Sequence, residues 1–140
     1  MAGKIIADQI EHSTAGSLDT SYVVNGSAKA FYSLNGTGTI AFRKSLNCSS
    51  ASDLGTGDYK VFYSNAMSDA DYSAVGNFGT TDSNWNSAFG SDLVMGGNIA
   101  GSYTAFYATT GIGFANFGDE DTGVMYDVEV CNGVINGDLA

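Results

Sequence analysis

Few residues in this chain are suited to acid–base or nucleophilic chemistry. The 140 residues include one histidine, His12, and two cysteines. A hydrolase triad needs a nucleophile, a base and an orienting group held close together. His12 lies in a loop-like stretch near the start of the chain, and no G-x-S-x-G motif accompanies the many serines. We therefore predict an exposed or partly packed histidine, no catalytic residue, and a protein that is not an enzyme.

Two groups of carboxylates stand close in sequence: Asp69 with Asp71, and Asp119 with Glu120 and Asp121. Paired carboxylates can hydrolyse glycosidic bonds, and oxygen-rich loops can hold calcium. Neither group comes with the long repetitive β-helix of large polysaccharide-cleaving proteins, and the second lacks the spacing of an EF-hand loop. We expect solvated turns, with calcium at Asp119–Asp121 as the alternative, and we assign no metal ligand and no cofactor.

The two cysteines, Cys48 and Cys131, are far apart in sequence. No C-x-x-C motif and no histidine cluster accompanies them, so a zinc site is not expected. Free thiols inside the core are the primary prediction. A disulfide between them stays open, because its geometry cannot be judged from sequence.

Charge is sparse and uneven along the chain. Charged residues make up 14% of the sequence and the net charge is −10. All five basic residues lie in the first 60 positions, whereas residues 61–140 carry ten acids and no Lys or Arg. A nucleic-acid partner is not expected, because nothing in the acidic half would neutralise phosphates.

The hydropathy of the chain predicts no membrane partner. No apolar run approaches the length of a membrane span. The first residues, MAGKIIADQIEHS, lack the long apolar stretch and cleavage pattern of a secretory signal. We therefore expect the protein to be made in the cytoplasm.

Turn residues and alternating apolar residues predict short antiparallel strands. Glycine accounts for 19 residues and proline is absent. Residues 28–34 alternate, with Ala28, Ala30, Tyr32 and Leu34 on one face, and they lead through an Asn-Gly turn at 35–38 into residues 39–44. Two alternating runs around such a turn predict a hairpin. Residues 47–63, which turn at 55–58, predict a second hairpin.

The other segments carry weaker signals. Residues 4–13 fit a strand or a short helix, residues 14–20 a loop, and residues 69–78 a third returning strand. Residues 79–101, which include Trp85, predict a long loop with one short strand at most. Residues 124–131 show the clearest alternation in the chain and predict one amphipathic strand, with Cys131 on its outer face beside the acids.

The strand signals recur about eight times at intervals of about ten residues, which is typical of an antiparallel β-sandwich or a jelly roll. We predict an N-terminal attachment segment at residues 1–25 and a single β-sandwich domain at residues 26–140. Most aromatic residues are expected in the core or at subunit interfaces, with some loop rings free to stack on sugars. Burial on both faces is expected where Phe31, Phe62 and Phe106 oppose a second apolar face.

One third of the chain carries an ordered set of turn motifs. An aromatic strand at residues 28–34 is followed by N-G-T-G-T at 35–39, a basic residue at Arg43 and N-x-S-S at 47–50. G-T-G-D-Y at 55–59 and A-M-x-D-A-x-Y at 66–72 complete the order. Residues 28–76 thereby resemble the β module of phage tail-fibre and related virion structural proteins. The pattern departs from that family at two places. The family usually has a Trp early in the first strand, where this chain has Phe31 nearby, and it often has Pro at the position of Ser68.

The resemblance implies a homotrimer and a non-enzymatic structural role in a tailed-phage virion. It implies a tail-fibre or receptor-binding module on the particle surface, with other virion proteins and a host surface glycan as partners in host attachment. The alternative is a capsid decoration (cement) protein that clamps the capsomers. That alternative is favoured by the lack of coiled-coil heptads, collagen-like repeats or any long shaft in the sequence.

Overall fold

The computed structural model describes residues 3, 6–79, 92–95, 107–119 and 124–140, without the side chains of 92–95, 116–119 and 124. The described elements are twelve strands and one helix, in this order: β1 (Gln9–His12), β2 (Gly16–Asp19), α1 (Thr20–Gly26), β3 (Ala30–Asn35), β4 (Ala41–Leu46), β5 (Cys48–Gly55), β6 (Asp58–Tyr63), β7 (Ser73–Gly79), β8 (Asp92–Met95), β9 (Tyr107–Ala108), β10 (Gly111–Asp119), β11 (Val124–Met125) and β12 (Val130–Asn136).

The strands form three antiparallel sheets, which confirms the all-β prediction. A four-stranded sheet has the order β4-β3-β12-β7. A six-stranded sheet has the order β11-β10-β6-β5, with β8 and β9 also paired to β10. The third sheet is the small β1-β2 hairpin at the N-terminus.

Both predicted hairpins are present. β3 pairs with β4 around residues 36–40, and β5 pairs with β6 around the two-residue turn at 56–57. Gly38 and Gly57 adopt positive φ values of 65° and 69°, which glycine does at no steric cost. Alternation along β3 places Ala30, Tyr32 and Leu34 in the core, as the pattern predicts.

The inner faces of the two large sheets share one core that is rich in aromatic rings. Tyr32 of the four-stranded sheet stacks on Phe114 of the six-stranded sheet, with ring centroids 5.2 Å apart. Tyr59 and Phe78 approach the same Phe114 ring at 5.6 and 6.2 Å. Offset and tilted contacts of this kind add to the free energy gained by burying the rings. The prediction that aromatic residues fill the core is confirmed for these four.

The prediction of one continuous strand over residues 124–131 is wrong. The chain there forms two strands, β11 in the six-stranded sheet and β12 in the four-stranded sheet. Residues 126–129 between them cross from one sheet to the other, and hydrogen bonds to Asp127 and Val128 hold them there. Cys131 consequently faces the core with no exposed surface, whereas the alternation placed it on the outer face.

The loop predicted at residues 14–20 is also wrong. Residues 9–12 and 16–19 pair as the β1-β2 hairpin, and α1 follows directly. The Asp19 carboxylate accepts a hydrogen bond of 2.8 Å from the Ser21 amide and caps the helix. In the segment predicted as a long loop, residues 92–95 form β8, and Trp85 lies outside the described residues.

Candidate functional site

His12 takes part in a turn of the β1-β2 hairpin. Its Nδ1 atom accepts hydrogen bonds from the backbone amides of Ala15 and Thr14, at 3.1 and 3.3 Å. The residue is exposed. These contacts give His12 a local role in shaping the turn, of the kind that polar side chains commonly have in tight turns.

Of the two carboxylate groups for which solvated turns were predicted, the structure describes the side chains of one, Asp69 with Asp71. Asp69 Oδ1 accepts a hydrogen bond of 2.9 Å from the Asp71 amide, and both residues are exposed. That contact is an Asx turn, which organises the backbone locally. The side chain of Asp119 and residues 120–123 lie outside the described part, so the solvated turn predicted there and its calcium alternative are both untested. Within the described ranges, no three His, Cys, Asp or Glu side chains gather in a metal-binding arrangement.

Both cysteines are free thiols in this structure. Cys131 is buried and Cys48 is half-buried. Burial raises the pKa of Cys48 to about 11. Burial, with a smaller contribution from the charge of Asp127, raises the pKa of Cys131 to about 12. Both thiols therefore stay protonated at neutral pH, and a protonated thiol is a weak nucleophile.

Two of the sequence motifs meet at a polar junction, which we define as Gly36, Gly57, Tyr59, Asp127 and Val128. The buried Tyr59 hydroxyl lies 2.8 Å from the Gly36 carbonyl oxygen and 3.0 Å from Asp127 Oδ1. The Gly57 amide donates to the same carboxylate oxygen at 2.8 Å, and the Gly36 amide donates to the Val128 carbonyl at 3.0 Å. The junction thereby ties both hairpin turns to the crossing segment at 126–129.

The junction explains why glycine stands at position 36. A Cβ atom there would lie 2.6 Å from the Tyr59 hydroxyl and 2.7 Å from the Val128 carbonyl oxygen. Burial, reinforced by the hydrogen bond to Asp127, raises the pKa of Tyr59 well above its usual range, so it remains a neutral donor.

Arg43 extends the contacts between the first turn and the crossing segment. Its Nη2 atom donates to Asn35 Oδ1 at 3.2 Å and to the Glu129 carbonyl at 3.0 Å. The basic residue of the motif thus connects the start of the hairpin turn to the backbone that leads into β12. Together with the polar junction, this contact gives the turn motifs an architectural role.

Three buried polar atoms have no hydrogen-bond partner in the described part of the chain: Tyr32 Oη, Tyr63 Oη and Asp58 Oδ2. Asp58 is only 5% exposed. Burial, followed by the charge of Asp53, raises the pKa of the Asp58 carboxyl. Two carboxylates without a third ligand fall short of the oxygen-rich cage that a calcium ion prefers.

The outer face of the four-stranded sheet carries a continuous line of exposed apolar side chains. Leu46, Phe31, Val134 and Val75 are register partners across β4, β3, β12 and β7, and we call them the apolar row. Their exposed fractions run from 36% at Phe31 to 60% at Val75. The neighbouring register positions on this face are polar: Lys44, Ser33, Asn132 and Asn77. The apolar row is therefore a bounded stripe on a polar face.

A second unpartnered apolar surface lies on residues 6–26, which we call the arm. The arm contains β1, β2 and α1, and none of its residues is buried. Ile10 and Leu18 stand directly opposite each other in the hairpin and are 53% and 46% exposed. An isolated two-stranded hairpin is only marginally stable in water, and so is a helix of two turns. The arm therefore gains little stability from burial within the described part of the chain.

The sequence signals for these two surfaces differ in strength. Phe31 belongs to the apolar row and is 36% exposed, so the two-sided burial expected for it is absent within one chain and stays a prediction about a partner. Phe62 is half-buried on the outer face of β6, with Lys60 Nζ 4.9 Å from its ring centre, and Phe106 lies outside the described residues. The amphipathic hairpin of the arm was missed, although the Ile10–Leu18 spacing around a Gly-containing turn was a usable signal.

Comparison of the chain with known proteins finds no match. No family model matches it, and neither the curated proteins nor the solved structures contain a match. The one helix of the described residues, α1, is too short to cross a membrane. Among the described residues, the features that best indicate a binding function are two exposed apolar surfaces, the arm and the apolar row.

Proposed function

We propose that this protein is a non-enzymatic structural component of a tailed-phage virion. In this proposal it is a homotrimeric tail-fibre or receptor-binding module at the particle surface, made in the host cytoplasm. The order of turn motifs over residues 28–76 supports the family assignment. The two large sheets would pack face to face as a β-sandwich around the aromatic core.

The observation that carries the proposal is the unpartnered apolar surface of the arm and the apolar row. Exposed apolar side chains in a continuous patch mark sites of protein association, whereas isolated ones do not. The apolar row spans all four strands of its sheet, and the arm has no buried residue. Surfaces of this kind suit a subunit of a larger assembly.

The turn motifs support an architectural role as well. The Gly57 amide donates to Asp127 and the Gly36 amide donates to the Val128 carbonyl, so both hairpin turns are bound to the crossing segment, and Arg43 adds a further contact to the same segment. A virion module has to keep its shape outside the cell, and a network of hydrogen bonds between distant segments serves that need. Loop residues beyond this framework would contact other virion proteins or a host surface glycan.

A capsid decoration protein is the second candidate, and the arm is the observation that favours it. A decoration protein has to reach across capsomers, and an exposed segment with an apolar face can lie on a neighbouring subunit. In that case the arm would contact the major capsid protein, and copies of the protein would cover the head.

Cryo-microscopy of intact particles, with labelling by an antibody raised against the purified protein, separates the two candidates. Copies confined to the tail support the fibre module, and copies spread over the head support the decoration protein. Absence of the protein from purified particles would refute both. Breakdown of host surface polysaccharide by the purified protein would refute the non-enzymatic part.

A further inference from the structure

The arm and the apolar row both leave large apolar side chains exposed within one chain. We infer that the arm of one subunit docks on the apolar row of a second copy of this chain, with the Ile10–Leu18 face of the hairpin against the row. This inference deepens the proposed function. It rests on that proposal for the number of subunits, three, and not for the contact between them.

The arm has the two-faced character that such docking requires. Ile10 and Leu18 form a cross-strand pair on one face of the hairpin. The adjacent register pairs, Gln9 with Asp19 and Glu11 with Ser17, lie on the opposite face and are polar. Docking through the apolar face would remove both large side chains from water and leave the polar face in solvent.

Charge complementarity supports the same pairing. The arm contains Asp8, Glu11 and Asp19 and no Lys or Arg. At the edge of the four-stranded sheet, β4 carries the exposed Arg43 and Lys44, and Lys44 stands in the register position next to the apolar row. Opposite charges across an interface favour encounter and fix orientation. The net charge of the arm therefore favours its encounter with the side of the row that is bordered by β4, while Glu11 and Asp19 stay on the solvent face.

The connection between the arm and the body favours a second copy over the chain's own row. Only residues 27–29 separate α1 from β3. Lys29 Nζ donates hydrogen bonds to the carbonyl oxygens of Val24 and Ser27, so the helix end is held to this short link. Docking on its own row would require the arm to turn back through that link, whereas a neighbouring subunit carries no such constraint. Head-to-tail contacts of this kind close into rings such as trimers.

The first test changes the charge of each surface in the full-length protein. Leu18→Asp places a charge on the apolar face of the hairpin, and Ser17→Asp places it on the opposite face of the same strand. On β7, Val75→Asp places a charge within the apolar row, and Asn77→Asp places one on the same face just outside the row, where it keeps the oxygen that accepts from Asn132. All four positions are exposed, so folding should survive.

Sedimentation equilibrium and native mass measurement provide the readout. We expect a trimer for the unchanged protein, and self-association weakened about tenfold or more by Leu18→Asp and by Val75→Asp. The control variants, Ser17→Asp and Asn77→Asp, should associate like the unchanged protein. A folded Leu18→Asp protein that associates with unchanged affinity would overturn arm docking while leaving the trimer intact.

The second test is cross-linking between copies. Leu18→Cys protein is mixed with Val75→Cys protein under mild oxidation. We expect a disulfide-linked pair of chains, and none when Ser17→Cys replaces Leu18→Cys. A further variant carries both Leu18→Cys and Val75→Cys in one chain. If this variant is a monomer and forms an intrachain disulfide, the arm docks on its own row and the inference is overturned. A monomeric unchanged protein would refute the inference and the homotrimer together, but not the virion location, which microscopy tests separately.

Discussion

Removing the Tyr59 hydroxyl tests whether the polar junction stabilises the fold. Tyr59→Phe keeps the buried ring and its contact with Phe114 but deletes the one donor that faces the Gly36 carbonyl at 2.8 Å and Asp127 Oδ1 at 3.0 Å. Asp127 keeps the hydrogen bond from the Gly57 amide. The substitution therefore removes a single donor, the Tyr59 hydroxyl, which can donate to either the Gly36 carbonyl or the Asp127 carboxylate.

The expected cost follows from what the hydroxyl leaves behind. Leaving a buried acceptor without its donor costs about 1–3 kcal/mol, and the Gly36 carbonyl is such an acceptor, whereas the exposed Asp127 carboxylate can bind water instead. We expect Tyr59→Phe to lower the free energy of unfolding by about 2 kcal/mol. For a domain of this size, that loss corresponds to a Tm lower by about 7 °C.

Tyr32→Phe is the matched control, because the Tyr32 ring also packs on Phe114 and its buried hydroxyl has no hydrogen-bond partner among the described residues. It should leave stability unchanged or raise it slightly, since no buried donor–acceptor pair is broken. Both variants are compared by urea unfolding at one fixed protein concentration, so that subunit association contributes equally. A loss below about 0.5 kcal/mol for Tyr59→Phe would refute the structural role given to the junction. A double-mutant cycle with Asp127→Ala should return a coupling energy above about 0.5 kcal/mol.

Two further predictions concern the core. Gly133→Ala places a Cβ atom 2.4 Å from the Tyr32 ring, which is itself stacked against the other sheet, and should lower the free energy of unfolding by about 1–3 kcal/mol. Gly79→Ala, whose nearest contact is 3.8 Å, should be neutral or slightly stabilising, and equal effects of the two substitutions in urea unfolding would contradict the packing argument. The folded-state pKa of Cys131 lies above its ordinary value, so its contribution to stability is complete below pH 9.0 and is lost as the pH rises toward about 12. Urea unfolding should therefore show stability falling by on the order of 1.4 kcal/mol per pH unit more steeply than in Cys131→Ala, and parallel curves would contradict the burial of this thiol.

The hairpins at residues 28–44 and 47–63 were predictable because all their signals are local. Alternation places Tyr32 and Leu34 on one face, and the glycines at 38 and 57 supply the positive φ values of the turns. Such local preferences act within a few residues, so they can be recognised without knowing the rest of the fold.

The crossing segment shows where local signals fail. Residues 124–131 alternate as one strand, yet the chain passes between sheets because Asp127 bonds to Gly57 and Tyr59. Those partners lie 70 and 68 positions earlier in the sequence, too far for a local pattern to indicate the contact. A one-residue change in register sends a side chain to the other face of a strand, and Cys131 accordingly lies in the core.

The sequence by itself determined an all-β chain with antiparallel hairpins, the residues that face the core in β3, and the scarcity of groups for catalysis. Only the tertiary structure decided that Phe31, Val134 and Val75 form one exposed stripe, because they belong to three strands that meet in register only after folding. It also decided that residues 6–26 form an arm with no buried residue, since burial depends on what the rest of the chain covers.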